Sequence, residues 1–148
     1  MSSGRVFRFA PTPERPARHL FVFLHGCGAT AQSMIPIAFK FQARFPSAAL
    51  VVPSGFDPDA RGGAAQDWYP THGLNPDNHR ERVASVLPDV EDLVRREQTN
   101  FGVAASRTVL IGFSQGGTVA LEVVKTPGVA GAVVAFCSRY ARLPANGA

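Results

Sequence analysis

Residues 108–117 decide the fold of this chain, and they are Thr108-Val109-Leu110-Ile111-Gly112-Phe113-Ser114-Gln115-Gly116-Gly117. The first four are apolar or β-branched, which is typical of a buried strand, and residues 117–125 have the pattern of a helix. Between them lies Gly-x-Ser-x-Gly. A serine at a sharp strand-to-helix turn stands clear of the sheet, and the flanking glycines allow that turn without a Cβ clash. The stretch therefore predicts a nucleophile elbow with Ser114 as the nucleophile.

A second glycine-rich turn, residues 25–28, follows an apolar run at residues 20–24. In the sheet of a serine hydrolase, the loop after such a strand donates one backbone N–H to the oxyanion, and the residue after the nucleophile donates another. Cys27 and Gln115 are the predicted donors, through their backbone N–H groups. The alternative is a glycine turn without a catalytic role. His25, as part of this turn, is expected to be a structural hydrogen-bonding residue.

The general base that a serine nucleophile needs has no candidate after Ser114. Acyl transfer requires a base and a carboxylate that orients it, and in this architecture both follow the nucleophile in the chain. After Ser114 the sequence has one acidic side chain, Glu122, and no histidine. We therefore expect ester hydrolysis by this chain to be impaired or lost.

The loop between residues 53 and 75 is rich in Gly, Pro and Asp and contains Trp68. A loop of this length inside a compact domain is usually functional or mobile. Trp68 either lines a substrate-binding pocket or caps the core, and the sequence leaves both possibilities open. His72 and His79 are expected to be solvated residues of the loop and of a helix start.

Composition and charge exclude several classes of function. The chain has 148 residues, of which 45% are apolar and 18% charged, so one globular domain over residues 1–148 is expected. The net charge of +4 comes from scattered arginines without a basic stripe, which argues against a nucleic-acid partner. No apolar run approaches the roughly 20 residues of a membrane span, and the first residues do not resemble a secretory signal, so a cytoplasmic location is expected.

Cysteine usage gives no sign of a disulfide framework or of a metal site. Cys27 and Cys137 are the two cysteines, and they lack the spacing of metal ligands. Cys137 ends an apolar strand and is expected to be a small core residue. Neither a metal nor a cofactor is expected.

Strand and helix patterns alternate along the whole chain. Strands are predicted at residues 6–9, 20–24, 48–52, 108–111 and 130–136, and helices at residues 32–45, 76–100 and 117–125, with a glycine C-cap at Gly102. This alternation predicts an α/β fold with a mostly parallel sheet and helices on both faces.

Several motifs, in this order along the chain, resemble the phospholipase/carboxylesterase family, which includes acyl-protein thioesterases. They are Leu24-His25-Gly26-Cys27-Gly28, Val51-Val52-Pro53, Trp68-Tyr69 and Ile111-Gly112-Phe113-Ser114-Gln115-Gly116-Gly117. Residues 66–69, 78–83 and 134–144 are similar to small bacterial esterases of the YpfH type. The resemblance implies an α/β-hydrolase fold, with Ser114 as nucleophile and Cys27 and Gln115 as oxyanion donors. It also implies hydrolysis of a small acyl ester or thioester through an acyl-enzyme, without metal or organic cofactor.

The chain departs from this family after the strand that follows the elbow. Family members continue with two further strands, and the loops after those strands carry the triad aspartate and histidine, so the resemblance implies an incomplete α/β-hydrolase domain. One hypothesis is a serine hydrolase that is impaired or inactive as this truncated chain. A second is a catalytically dead binding or interaction module, and a third is that another chain supplies the missing strands. An exposed sheet edge at residues 132–136 is expected to allow self-association.

Overall fold

Seven strands and three α-helices lie within residues 5–12, 15–58 and 65–144, the ranges that this computed structural model describes. In chain order they are β1 (Val6–Phe9), β2 (His19–Leu24), α1 (Ile35–Arg44), β3 (Ala48–Pro53), β4 (Asp57–Pro58), β5 (Gln66–Asp67), α2 (Pro76–Phe101), β6 (Thr108–Phe113), α3 (Gln115–Val123) and β7 (Ala132–Phe136). The predicted strands and helices thus occur in the predicted order.

A five-stranded sheet in the order β1-β3-β2-β6-β7 forms the centre of the protein. β2 runs parallel to both β3 and β6, and β6 runs parallel to β7, while β1 pairs antiparallel with β3 at one edge. The predicted α/β fold with a mostly parallel sheet is confirmed. Because Leu24 lies opposite Gly112, and Gly112 lies opposite Ala135, the carboxyl ends of β2, β6 and β7 meet at one end of the sheet.

Helices cover both faces of this sheet because the buried strands are apolar on both sides. On one face, Leu20, Val22 and Leu24 of β2 pack in a cluster with α2 and α3. On the other face, Phe21 and Phe23 of the same strand pack against α1. The two halves of the core therefore share their central strands.

α2 ends where the sequence predicted, because Gly102 adopts a left-handed φ of 64° at its C-cap.

The helix predicted at residues 32–45 begins later than expected. Residues 31–34 form a 3₁₀ turn, and the α-helix begins only at Ile35, directly before Pro36. Proline lacks an N–H and fits an α-helix only in its first turn, which fixes this start. None of the helices in the described ranges is long and apolar enough to cross a membrane.

The strand predicted at residues 130–136 is shorter than expected and lies at the edge of the sheet. β7 pairs with β6 on one side, and its residues alternate between exposed and half-buried. Val134 is 36% exposed and Phe136 is 42% exposed. The strand therefore presents apolar side chains and one row of backbone hydrogen-bonding groups at a sheet edge.

Candidate active site

Ser114 lies at the sharp turn that the sequence predicted, between the last residue of β6 and the first residue of α3. Its backbone has φ 53° and ψ −116°, a conformation that costs energy for any residue with a Cβ. Ser114 and Cys137 are the two non-glycine residues with positive φ in the described ranges. Strain of this kind persists where the surrounding structure imposes it, which is frequent at functional sites.

The glycines of the Gly-x-Ser-x-Gly motif allow α3 to approach β2 and β6 closely. A Cβ on Gly116 would lie 2.2 Å from the carbonyl oxygen of Leu24, and a Cβ on Gly112 would lie 2.5 Å from the Cα of Gly117. These neighbours are backbone atoms and cannot move aside. Close contact between the helix and the sheet therefore fixes the position of Ser114 between them.

The turn at residues 25–28 lies beside Ser114. A Cβ on Gly26 would lie 3.5 Å from the Ser114 Cβ. The turn is held by Asp67, whose Oδ1 accepts a hydrogen bond of 2.7 Å from the Gly28 N–H and whose Oδ2 accepts one from Thr71. Asp67 is buried and acts here as the anchor of the turn that carries Cys27.

His25 is fully buried and uses both ring nitrogens within the fold. Its Nε2 accepts a hydrogen bond of 2.9 Å from the Gly55 N–H, so Nδ1 carries the proton and donates to the Gly26 carbonyl at 2.8 Å. Burial lowers the pKa of His25, against smaller opposing effects of the Gly26 carbonyl and the Asp67 charge. These contacts agree with the structural role expected for His25.

Gln115 has a side-chain role that the sequence did not indicate. Its Oε1 accepts a hydrogen bond of 2.7 Å from the Trp68 N–H, and its Nε2 donates to the Tyr69 carbonyl at 3.1 Å. The first residue of α3 thereby holds the loop at residues 68–69 against the elbow. This bond requires tertiary structure and has no local sequence signal.

Trp68 is 1% exposed, and its Nε1 donates to the His25 carbonyl. Its indole packs in the core with Phe56 and His25. It does not line the cavity at Ser114. Of the two possibilities left open for Trp68, this position favours the core cap over the pocket wall.

A cavity of about 410 Å³ opens beside Ser114. Its lining residues are Cys27, Tyr69, Thr71, Leu74, His79, Ser114, Gln115, Thr118, Cys137, Ser138 and Arg139. Three of the predicted site residues, Ser114, Cys27 and Gln115, thus lie together. The convergence of the Cys27 and Gln115 N–H groups on one point stays a prediction.

Two residues of this cavity correct the sequence analysis. His79 is not a solvated helix-start residue, because it is partly buried and its Nε2 lies 3.2 Å from the Tyr69 hydroxyl. Cys137 is not a core residue, because it is exposed at the cavity with φ 51°. It follows β7, which is an edge strand, so the chain can turn there instead of continuing through a core.

Burial sets the protonation states of Tyr69 and His79, two of the residues that line the cavity. It raises the pKa of Tyr69 to about 12, so the hydroxyl stays protonated at neutral pH. It also lowers the pKa of His79, and the positive charge of Arg139 adds to that effect while Glu122 opposes it. His79 is therefore neutral at pH 7. Within the described ranges, no three His, Cys, Asp or Glu side chains cluster in a way that could hold a metal ion.

The sheet order, the strained serine turn and the glycine-rich turn beside it define an α/β-hydrolase. The crystal structure of esterase PE8 has the same fold, with a TM-score of 0.82 and 22% identity over 94% of this chain and 65% of that one. The family model for phospholipase/carboxylesterase matches residues 9–145, and the chain belongs to that family.

Two curated relatives are similar over most of this chain. Esterase YpfH of Escherichia coli (strain K12) is 39% identical over 134 residues, which are 90% of this chain and 57% of that protein. Acyl-protein thioesterase 1 of Cryptococcus neoformans is 28% identical over 118 residues, which are 74% of this chain and 49% of that protein. The chain therefore spans about half the length of the curated relatives it matches.

Proposed function

We propose that this chain is a hydrolase of the serine carboxylesterase and thioesterase type, with Ser114 as the nucleophile. The observation that carries the proposal is the strained Ser114 turn at a cavity, between a buried strand and the N-terminus of α3. Family membership and the similarity to YpfH support the reaction class.

In the proposed reaction, the Ser114 Oγ attacks the carbonyl carbon of an acyl ester or thioester and gives up its proton to solvent water, because no histidine or carboxylate in the described ranges bonds to this hydroxyl. The developing oxyanion accepts hydrogen bonds from the backbone N–H groups of Cys27 and Gln115, at the positively polarised end of α3. Collapse of the tetrahedral intermediate breaks the bond to the leaving oxygen or sulfur, which departs as the anion or takes up a proton from solvent water. Water then hydrolyses the acyl-enzyme, which releases the carboxylic acid and restores the Ser114 hydroxyl.

The cavity favours a small substrate. Its volume of about 410 Å³ is at the lower end of the range for ligand sites. Tyr69 and Leu74 contribute aromatic and apolar surface to its lining, which also includes Thr71 and Thr118. We expect a short acyl group to fit better than a long one.

The experiment is single-turnover reaction with p-nitrophenyl butyrate, read both as nitrophenolate release and as the intact mass of the protein. Within the described ranges, the Ser114 Oγ makes no hydrogen bond to a histidine or a carboxylate. We therefore expect slow acylation at one site. Oxyanion stabilisation and binding alone sustain about 10³–10⁴-fold catalysis over water.

Ser114→Ala is the decisive variant and should abolish the mass increase of one acyl group. His79→Gln tests the histidine that lines the cavity, and we expect it to leave the slow rate within about twofold because His79 bonds to Tyr69. An acyl mass increase that persists in Ser114→Ala would refute the assignment of Ser114 as the nucleophile.

A catalytically dead binding module is the second candidate, and the same lack of a base at Ser114 within the described ranges favours it. Such a module would bind butyrate or a short thioester with no acylation of Ser114. Calorimetric titration with butyrate, beside the mass measurement, separates the two functions.

A further inference from the structure

The segment after β7 turns back onto the elbow and is fixed there by hydrogen bonds. The Ser114 N–H donates to the Phe136 carbonyl at 2.8 Å. After the left-handed turn at Cys137, the Ser138 Oγ lies 2.9 Å from the Ser114 carbonyl and 2.7 Å from the Phe136 carbonyl. Ser138 also occupies the space beside Gly117, where a Cβ would lie 1.8 Å from its Oγ. Residue 139 therefore has a defined place at the cavity that contains Ser114.

Arg139 occupies that place, and its charge acts on two other residues of the cavity, Tyr69 and His79. It lines the cavity together with Tyr69 and His79. Burial is the main cause of the shifted pKa values of both residues, and the positive charge of Arg139 acts on each of them in the direction that a nearby cation should. The guanidinium is therefore close enough to act on a ligand inside the cavity.

The carboxylates near the cavity are already occupied by other donors. Asp67 accepts hydrogen bonds from Gly28 and Thr71. Glu122 pairs with Lys125 at 2.8 Å and accepts two backbone N–H groups from residues 141 and 142. Across residues 5–12, 15–58 and 65–144, the Arg139 side chain has neither a hydrogen bond nor an ion pair.

Arg139 is also the one fully charged side chain among the described residues that line the cavity at neutral pH. A guanidinium presents two parallel N–H donors that match the two oxygens of a carboxylate. One cation compensates one negative charge, which suits a carboxylate better than a doubly charged phosphate.

We infer that Arg139 is a specificity-determining residue that binds a carboxylate on the substrate. The substrate class is then an ester or thioester whose acyl group ends in a carboxylate, such as the half-ester of a short dicarboxylic acid. This inference rests on the proposed function of Ser114 and adds the chemistry of its substrate.

The test compares two aryl esters of equal acyl length, p-nitrophenyl hydrogen glutarate with a free carboxylate and p-nitrophenyl methyl glutarate with none. The readout is the ratio of their acylation rates at Ser114, measured by mass. Arg139→Gln should lower this anionic-to-neutral ratio about tenfold, the size expected for one charge-assisted hydrogen bond. Arg139→Lys should retain most of the preference for the anionic ester.

Arg142→Gln is the matched control, because Arg142 is exposed on the same segment and does not line the cavity. It should leave the ratio unchanged. An unchanged ratio in Arg139→Gln, or no preference for the anionic ester in the unsubstituted chain, would overturn the inference.

Binding of free glutarate to Ser114→Ala separates this inference from the proposed function. Titration calorimetry should detect glutarate binding that weakens about tenfold in the double variant with Arg139→Gln. If neither ester acylates Ser114 while this binding is observed, the proposed reaction fails and the carboxylate site stands. If acylation of Ser114 occurs but its rate does not depend on Arg139, the proposed reaction stands and the carboxylate site is refuted.

Discussion

Backbone atoms surround Gly116 so closely that no side chain fits there. A Cβ at this position would lie 2.2 Å and 2.4 Å from the carbonyl oxygens of Leu24 and His25. We predict that Gly116→Ala lowers the free energy of unfolding by roughly 2–3 kcal/mol, the cost of an overpacked site. This corresponds to a fall in Tm of roughly 5–10 °C, measured by circular dichroism.

Gly26→Ala is the control for this glycine. The nearest atom to its Cβ would be the Cδ1 of Phe113 at 3.3 Å, and that ring is half exposed and can move. We expect Gly26→Ala to lower the free energy of unfolding by less than about 1 kcal/mol. Equal losses in the two variants would contradict the close approach of α3 to β2.

His25 should make the stability of the protein depend on pH. Burial lowers its pKa in the folded state, whereas an unfolded histidine takes up a proton near pH 6.5. Below about pH 6.5 the unfolded state binds more protons, so the free energy of unfolding falls on acidification. The slope is at most about 1.4 kcal/mol per pH unit for this one group.

Urea unfolding at pH 7.5, 6.5 and 5.5 measures that slope. His25→Gln removes the titrating ring but keeps a donor and an acceptor, and its slope should be shallower than that of the unsubstituted chain. His79→Gln accounts for the second histidine with a lowered pKa. Identical slopes of the free energy of unfolding against pH with and without His25 would refute the attribution of this pH dependence to His25.

At the scale of secondary structure, β7 is the element most open to a partner. Its residues Val134 and Phe136 are apolar and partly exposed, and one side of the strand has no neighbour within the described sheet. Exposed apolar edges promote pairing with another chain. We predict self-association of the 148-residue chain through this strand, and Val134→Lys should reduce it strongly in light scattering.

Leu143→Lys adds the same charge and removes an apolar side chain that is 80% exposed outside the sheet. It should leave the scattering nearly unchanged. A monodisperse monomer without either substitution would refute self-association. A defined oligomer that Val134→Lys dissociates would support the hypothesis that another chain completes the sheet.

The elements of this fold could be predicted from the sequence because the central strands are continuous apolar runs bounded by glycine or proline. The elbow was predictable for the same reason, since its motif is local. His79, Cys137 and Arg139 could not be placed at the cavity, because their positions depend on α2 packing and on the turn after β7. Hydrogen bonds between distant residues, such as Gln115 with Trp68, leave no periodic pattern in a sequence.

The molecule as a whole should unfold as one unit, because the two clusters of its core share strands. Ile111 of β6 is fully buried on the face of α1, whereas Trp68 lies in the cluster on the opposite face. Ile111→Val removes one methylene and should cost about 1 kcal/mol. The midpoints by far-UV circular dichroism and by Trp68 fluorescence should shift equally in urea.

A shift of the circular dichroism midpoint without a shift of the Trp68 fluorescence midpoint would indicate that the two faces unfold separately. Ile37→Val on the outer part of α1 is the control, because this side chain is only half-buried. It should change both midpoints less than Ile111→Val does.

The contact between Gly117 and Ser138 constrains how this chain can vary during evolution. A methyl group at residue 117 would collide with the Oγ and Cβ of residue 138, which lies 21 positions later in the chain. Alanine at residue 117 is therefore compatible only with glycine at residue 138, so the two codons should change together among descendants. A lineage that retains glycine at 117 is free to keep the serine whose hydroxyl bonds to the elbow.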